Sequence, residues 1–326
     1  MSLFCAIARK MIKSCDEKER RNIELGKMKQ KNDKKLAVVL GPTASGKSAL
    51  AVLLAKKFNG EVISADSRQV YKGLDIGSGK ITKKEMAGIP HYLLDVASPK
   101  RRFTVSQYRK LALKAIQNIL ARNKLPILCG GTAFYIYALI DGLMIPQVAP
   151  DWRLRLILEK ETTEKLYQRL KKLDCQRAKT IDKYNRRRLI RALEIIIKTR
   201  KPVPELKFQP LPYSILILGI KKTRGELGRL IRKRLLKRLK QGMVAETKNL
   251  RKSGLSWKRL EEFGLEYRYA SQYLQKKISH REMIEKIQKE SEQFAKRQMT
   301  WFKRDKRIQW VKNKKEAEEL TRQFFK

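Results

Sequence analysis

The chain has 326 residues, 42% of them hydrophobic, which is enough to build sizeable cores, and its 77 Lys+Arg against 32 Asp+Glu give a formal net charge of +45. Its longest apolar runs, such as Ile127 to Cys129 and Ile215 to Ile220, fall far short of the roughly 20 residues a membrane span needs; the N-terminus has no signal-peptide apolar region, so a cytoplasmic protein is expected. Charge of one sign on this scale self-repels unless a polyanion is close, which points to nucleic acid as the partner.

Residues 1–35 mix charges of both signs with few large apolar side chains and read as a disordered or frayed helical extension. From Leu36 the pattern alternates. Leu36 to Leu40 (LAVVL) reads as a buried strand, Lys47 to Phe58 as a helix, Glu61 to Ala65 (EVISA) as a second strand and Tyr92 to Val96 (YLLDV) as a third. Thr104 to Gln107 (TVSQ) is a capping box opening a helix to about Arg122; Pro126 to Gly130 (PILCG) is a fourth strand, and Thr132 to Asp141 is again helical. Such alternation predicts an α/β fold with a parallel sheet.

Asp151 to Thr199 is charge-rich, with apolar residues at helical spacing and no convincing strand, so 146–211 reads as a helical insertion between a core of 36–145 and 212–326. Tyr213 to Ile220 is the fifth strand; Arg224 to Lys240, Met243 to Lys252, Leu260 to Leu274 and Arg281 to Arg304 are expected C-terminal helices. Cys5, Cys15, Cys129 and Cys175 are widely separated and the chain has two histidines, so reduced thiols and no zinc site are expected.

Gly41-Pro42-Thr43-Ala44-Ser45-Gly46-Lys47-Ser48 satisfies G-x-x-x-x-G-K-[ST], with a strand before it and a helix after it. In a loop of this kind backbone amides curl around an anion, the lysine neutralises phosphate oxygens and the serine can hold Mg²⁺. A phosphate cradle does not say which phosphate compound is used. Asp95 within the strand YLLDV and Asp66 just after the strand EVISA are both candidates for the carboxylate that anchors Mg²⁺ on a neighbouring apolar strand. Asp66 falls at the carboxyl edge of the sheet, where it can serve as a metal ligand, a general base or a helix N-cap. Gly130, Gly131 and Thr132 end the fourth strand on the same edge; the threonine is either a hydrogen-bond donor or an N-cap. Arg187, Arg188 and Arg191 lie on neighbouring faces of one helix, suited to phosphates or to solvent. Near the end, Trp301 and Phe302 stand among Lys296, Arg297, Lys303 and Arg304, suited either to RNA or to packing on the core.

Together, GPTASGKS, ISADSRQVYKGLDIGSGK, PHYLLDV, FTVSQY, PILCGGTAFYIYAL, RRLIRALEI and AKRQMTWF, in order from about Leu36 to Trp310, closely resemble the tRNA dimethylallyltransferase family. The resemblance implies a P-loop-type core with an inserted helical domain, and transfer of a dimethylallyl group from dimethylallyl diphosphate to N6 of adenosine 37 in the tRNA anticodon arm, with Mg²⁺. Carried over, Gly41, Pro42, Thr43, Ala44, Ser45, Gly46, Lys47 and Ser48 would hold the diphosphate, Ser48 also the metal, and Arg224 would add charge. Asp66 would be the general base, with Lys47 and Thr43 in the catalytic set. Asp66, Ser67, Arg68, Gln69, Thr132, Arg155 (or Arg153, an alternative register), Arg187, Arg188 and Arg191 would contact tRNA. Relatives commonly have His-Pro-Asn before the arginine helix where this chain has Asp182-Lys183-Tyr184-Asn185, and Gly-Tyr-Arg where it has Gly264 to Arg268. The zinc finger of eukaryotic members is not in this sequence, which implies a bacterial-type enzyme, and a monomer fits the family.

Overall fold

A computed structural model describes residues 34–326 apart from 145, 147 and 206; the expected N-terminal extension, with Cys5 and Cys15, lies outside the described residues but for its last two positions. Two compact units are formed, one by 34–142 with 210–326 and the other by Leu143–Gln209.

The first unit is built on a six-stranded sheet. Its strands are β1 (Lys35–Leu40), β2 (Gly60–Ala65), β3 (His91–Tyr92), β4 (Leu125–Gly130), β7 (Ser214–Ile220) and β8 (Ile308–Val311), in the order β3-β2-β4-β1-β7-β8. Every pairing is parallel. The middle strands β1, β2 and β4 are buried almost throughout, as a parallel sheet covered on both faces requires, and their Val, Ile and Leu runs supply that burial. Helices α1 (Lys47–Lys57), α2 (Lys83–Met86), α3 (Val105–Ala121) and α4 (Ala133–Ile140) fill the crossovers. The Thr104 hydroxyl accepts from the Gln107 amide and the Gln107 side chain accepts from the Thr104 amide, so the expected capping box forms. Ala37, Val39, Leu54, Ile127 and Leu218 share one core cluster on this sheet.

The third strand is shorter than expected. It ends at Tyr92, because Leu93 and Asp95 adopt left-handed φ of 64° and 57°; the chain leaves the ladder there and the Asp95 amide donates to the Gln69 carbonyl at 3.2 Å.

Within the second unit, β5 (Leu143–Met144) pairs antiparallel with β6 (Lys207–Phe208). Between them run α5 (Trp152–Leu158), α6 (Thr163–Leu173), α7 (Cys175–Thr180) and α8 (Arg186–Thr199). Leu158, Leu166, Leu170, Leu189 and Leu193 close a core of their own, which the helical spacing of those residues dictates.

After β7 come α9 (Arg224–Lys240), α10 (Met243–Lys252), α11 (Trp257–Glu262), α12 (Leu265–Leu274), α13 (His280–Phe302) and, beyond β8, α14 (Lys314–Phe325). The single helix expected over Leu260 to Leu274 is two, broken at Gly264 with φ 76°. β8 and α14 carry too short or too polar a pattern to have been expected. Among the described residues no helix is long and apolar enough to cross a membrane.

Candidate active site

The phosphate loop joins β1 to α1. Gly46 takes φ 91°, a left-handed conformation that glycine adopts freely, and as N-cap it leaves the first amides of α1 without a side-chain acceptor. Gly41, Pro42 and Ser45 are buried, Thr43, Ala44 and Lys47 half-buried, and Gly46 and Ser48 exposed. The Lys47 ammonium donates to the Pro42 carbonyl at 3.2 Å, inside its own loop. Burial lowers its pKa, and the nearby Arg234 and Arg238 act in the same direction against Cys129 and Asp66. An ammonium held this way gains most from an arriving anion.

At the end of β2, the Asp66 carboxylate accepts from the amides of Arg68 (2.8 Å) and Gln69 (3.3 Å), both through Oδ1. The carboxylate therefore caps its own turn, and the cap fixes where it stands. Its neighbour Ser67 donates its amide to the Thr132 hydroxyl at 3.1 Å, and the Thr132 amide donates to the Ala65 carbonyl at 3.1 Å. Thr132 is the N-cap of α4 without a side-chain bond to that helix, so its hydroxyl serves the Asp66 turn instead. The Gln69 side chain donates to the Gly79 carbonyl at 3.1 Å, and Arg68 to the Glu262 carbonyl at 3.4 Å. Asp95 is committed elsewhere: the Lys80 ammonium, itself buried, bridges it to Asp75.

Three residues passed over in the sequence complete this region. Arg234 of α9 donates to the Thr43 hydroxyl, whereas Arg224 stands exposed in the first turn of that helix. The arginine that reaches the phosphate loop is thus Arg234; a period-3.6 count sets it beside the apolar Leu227, Ile231 and Leu235 of the inward face, and that was the available signal. Burial, and Arg238 beside it, pull the Arg234 guanidinium below the usual arginine range. Arg238, four residues on, is buried and donates to the Gly77 carbonyl (3.1 Å) and to Glu266 (2.7 Å). Gln298 of α13 accepts from the Thr43 amide at 2.8 Å and donates to the Gly131 carbonyl at 2.7 Å. Ala44 packs on Leu227, Ile231 and Ala295, so the loop is roofed by α9 and α13.

Below this roof, Cys129 is buried and its thiol is pushed up to about 11 by desolvation, so it stays protonated and inert at neutral pH. Phe302 is fully buried and Trp301 stacks on Tyr137 with centroids 6.3 Å apart; these two aromatic side chains pack the end of α13. No group of three or more His, Cys, Asp or Glu that could hold a metal occurs among the described residues.

In the second unit Glu194, fully buried, collects the arginines. Arg155 binds it with two bonds of 2.8 and 2.6 Å, Arg191 binds it and also donates to the Val148 carbonyl (2.8 Å), and the Asp151 amide adds a fourth donor at 2.7 Å. Burial pushes this carboxyl up, but the bonds from Arg155 and Arg191 outweigh it and hold the pKa below the usual range. Arg153 and Arg187 are exposed, and Arg188 lies 4.0 Å from Asp182. Two of the expected tRNA contacts are therefore members of a built cluster, and Glu194, three residues after Arg191 within an apolar stripe, is its unanticipated centre.

Residues 69–305 match a model of the family described as IPP transferase. The chain is 41% identical over 292 residues to a tRNA dimethylallyltransferase of Pelotomaculum thermopropionicum, covering 87% of this chain and 93% of that one. To the corresponding protein of Acetivibrio thermocellus it is 40% identical over 282 residues, covering 84% and 90%. Among solved structures, a tRNA isopentenylpyrophosphate transferase of Bacillus halodurans superposes with a TM-score of 0.68 at 34% identity, over 90% of this chain and 97% of that one. A eukaryotic dimethylallyltransferase acting on tRNA gives a TM-score of 0.74 at 27% identity, over 89% and 77%. With a phosphate loop roofed by α9 and α13 and met by Arg234 and Gln298, a capped aspartate after β2, and identity of this extent over most of its length, the chain belongs to the IPP transferase family.

Proposed function

We propose that the enzyme transfers the dimethylallyl group of dimethylallyl diphosphate to N6 of adenosine 37 in the tRNA anticodon arm, releasing diphosphate. The observation that carries this reading is the pair of cations at the phosphate loop, Lys47 on the Pro42 carbonyl and Arg234 on the Thr43 hydroxyl. Burial depresses the ionisation of Lys47 and of Arg234; Arg234 and Arg238 add to it at Lys47, and Arg238 adds to it at Arg234. Cys129 and then Asp66 act against it at Lys47, and Glu266 and Asp66 at Arg234. Cations gathered at that cost make a receptor for an anion, and a diphosphate leaving group develops charge there as the allylic C–O bond breaks. The Arg234 guanidinium reaches the loop through Thr43, and Lys47 lies within it.

Asp66 caps the turn that follows β2. The N6 amine forms its bond to the prenyl C1 while the C1–O electron pair leaves with the diphosphate, and the amine proton passes to the Asp66 carboxylate. Adenosine 37 has to leave its stack to reach this position. Ser67, Arg68, Gln69 and Thr132 build the turn around the acceptor; Arg155, Arg187, Arg188 and Arg191 are the candidates for the RNA backbone.

For Mg²⁺ the fit is through Ser48, exposed at the start of α1, since no carboxylate cage accompanies it among the described residues. The remaining ligands would be diphosphate oxygens and water, which suits an ion that keeps much of its hydration. Bound there, the ion would neutralise charge on the diphosphate. We read the enzyme as a cytoplasmic monomer that uses no zinc.

The test is to incubate the purified chain with dimethylallyl diphosphate, Mg²⁺ and a tRNA carrying adenosine at positions 36 and 37, then digest the RNA and weigh its nucleosides. N6-(dimethylallyl)adenosine is expected; its absence with every such tRNA would overturn the reading.

A further inference from the structure

Gln298 belongs to neither half of the site, yet it touches both. Its helix α13 turns Ser291, Ala295, Gln298 and Phe302 inward, and Gln298 is 5% exposed on that otherwise tight face. Oε1 accepts from the Thr43 amide at 2.8 Å and Nε2 donates to the Gly131 carbonyl at 2.7 Å. The orientation of the amide is forced, because an N–H must meet an acceptor and a carbonyl must meet a donor; the reverse flip would satisfy neither.

Each partner leads into a different half. Thr43 lies in the phosphate loop, where its hydroxyl accepts from Arg234. Gly131 precedes Thr132, whose hydroxyl accepts from the Ser67 amide beside Asp66. The approach at Gly131 is close enough that a Cβ there would run into the Gln298 amide nitrogen, so glycine at that position is part of the same device. Neither glutamate, which has no donor when ionised, nor lysine, which has no acceptor, can make both bonds.

We propose that Gln298 is a positioning residue that sets the separation between the phosphate loop and the Asp66 turn, and so aligns the leaving group with the attacking amine. The proposal rests on the assignment of diphosphate to the loop and of the amine to Asp66. Alignment is where small displacements are expensive: about 1 Å of misplacement can cost on the order of 10²-fold in rate.

Two variants test it, each against wild-type enzyme that is active in the same assay, so that failure here is separate from failure of the prenyl-transfer reading. Gln298→Met keeps the volume and removes both bonds. It is expected to lower kcat at saturating substrates by about 10²-fold, with each KM within about threefold and a Tm near wild type. Gln298→Glu keeps the acceptor but sets a carboxylate against the Gly131 carbonyl; protonation restores the donor. Its kcat, expressed as a ratio to wild type at the same pH, should therefore rise as pH falls toward the carboxyl range. A Gln298→Met enzyme with wild-type kcat, or a Gln298→Glu ratio that is the same at every pH, would overturn the proposal. The second measurement decides even if Gln298→Met does not fold.

Discussion

Asp66 shows how one side chain can satisfy two demands. Its Oδ1 accepts two amides of its own turn, and the Thr132 hydroxyl braces the same turn through the Ser67 amide, so the carboxylate of the proposed general base is fixed in place. Asp66→Ala is expected to lower kcat by about 10²- to 10⁴-fold in the nucleoside assay, and a turnover near wild type would reduce the residue to a cap. Arg234→Gln removes the guanidinium from the Thr43 hydroxyl; kcat should fall by roughly 10²-fold, read from initial rates at saturating dimethylallyl diphosphate. The place of Asp66 after an apolar strand was legible, and of the roles left open by the sequence the structure shows the cap. For Arg234 the helical spacing marked only the inward face of α9; that this face meets the phosphate loop needed the fold.

Elements are held in register here by buried carboxylates. Glu61 of β2 is fully buried and accepts from Arg122 (2.7 and 2.6 Å), Lys124 (2.8 Å) and the Tyr92 hydroxyl (2.7 Å), tying β2 to β3 and to the turn before β4. The Arg122 bond, above the opposing effect of burial, holds the Glu61 carboxyl down at about 2 from its ordinary 4.5. Because the folded value is depressed, this stabilisation is fully present above the unfolded value of 4.5 and is lost as pH falls from there through about 2. Urea midpoints at pH 5 and pH 3 should therefore drop more in the wild type than in Glu61→Gln. In the second unit, Glu194→Ala strands Arg155 and Arg191 and should destabilise the fold by roughly 3 kcal/mol, measured by denaturant unfolding. The same change should raise the KM for tRNA, because two arginines lose the partner that orients them. The helices themselves were readable from 3.6-residue spacing; their carboxylate centres were not, since a glutamate in a charged helix carries no mark of burial.

At the scale of the whole molecule the excess of cations is the dominant property, with a formal net charge of +45. Phosphate contacts release counterions, so tRNA affinity is expected to fall by about 10²- to 10⁴-fold between roughly 50 and 200 mM salt. The KM for dimethylallyl diphosphate should move far less. Arg187→Ala, at an exposed position, should lessen the slope of log K against log salt by about 0.7 to 0.9, determined by filter binding. A salt response no steeper than that of the small substrate would separate the overall charge from RNA recognition.

The sequence by itself determined the α/β alternation, the phosphate loop in its strand–helix context, the helical character of Asp151 to Thr199 and the family. Those features are local: periodicity, a capping box and a glycine-lysine spacing act within a few turns of chain. Only the tertiary structure decided that β3 stops at Tyr92, that β8 joins the far edge of the sheet, that Arg234 rather than Arg224 meets the phosphate loop, and that Gln298 joins Thr43 to Gly131. In each case the outcome depends on contacts between segments distant along the chain, and a local pattern of spacing does not name such a partner.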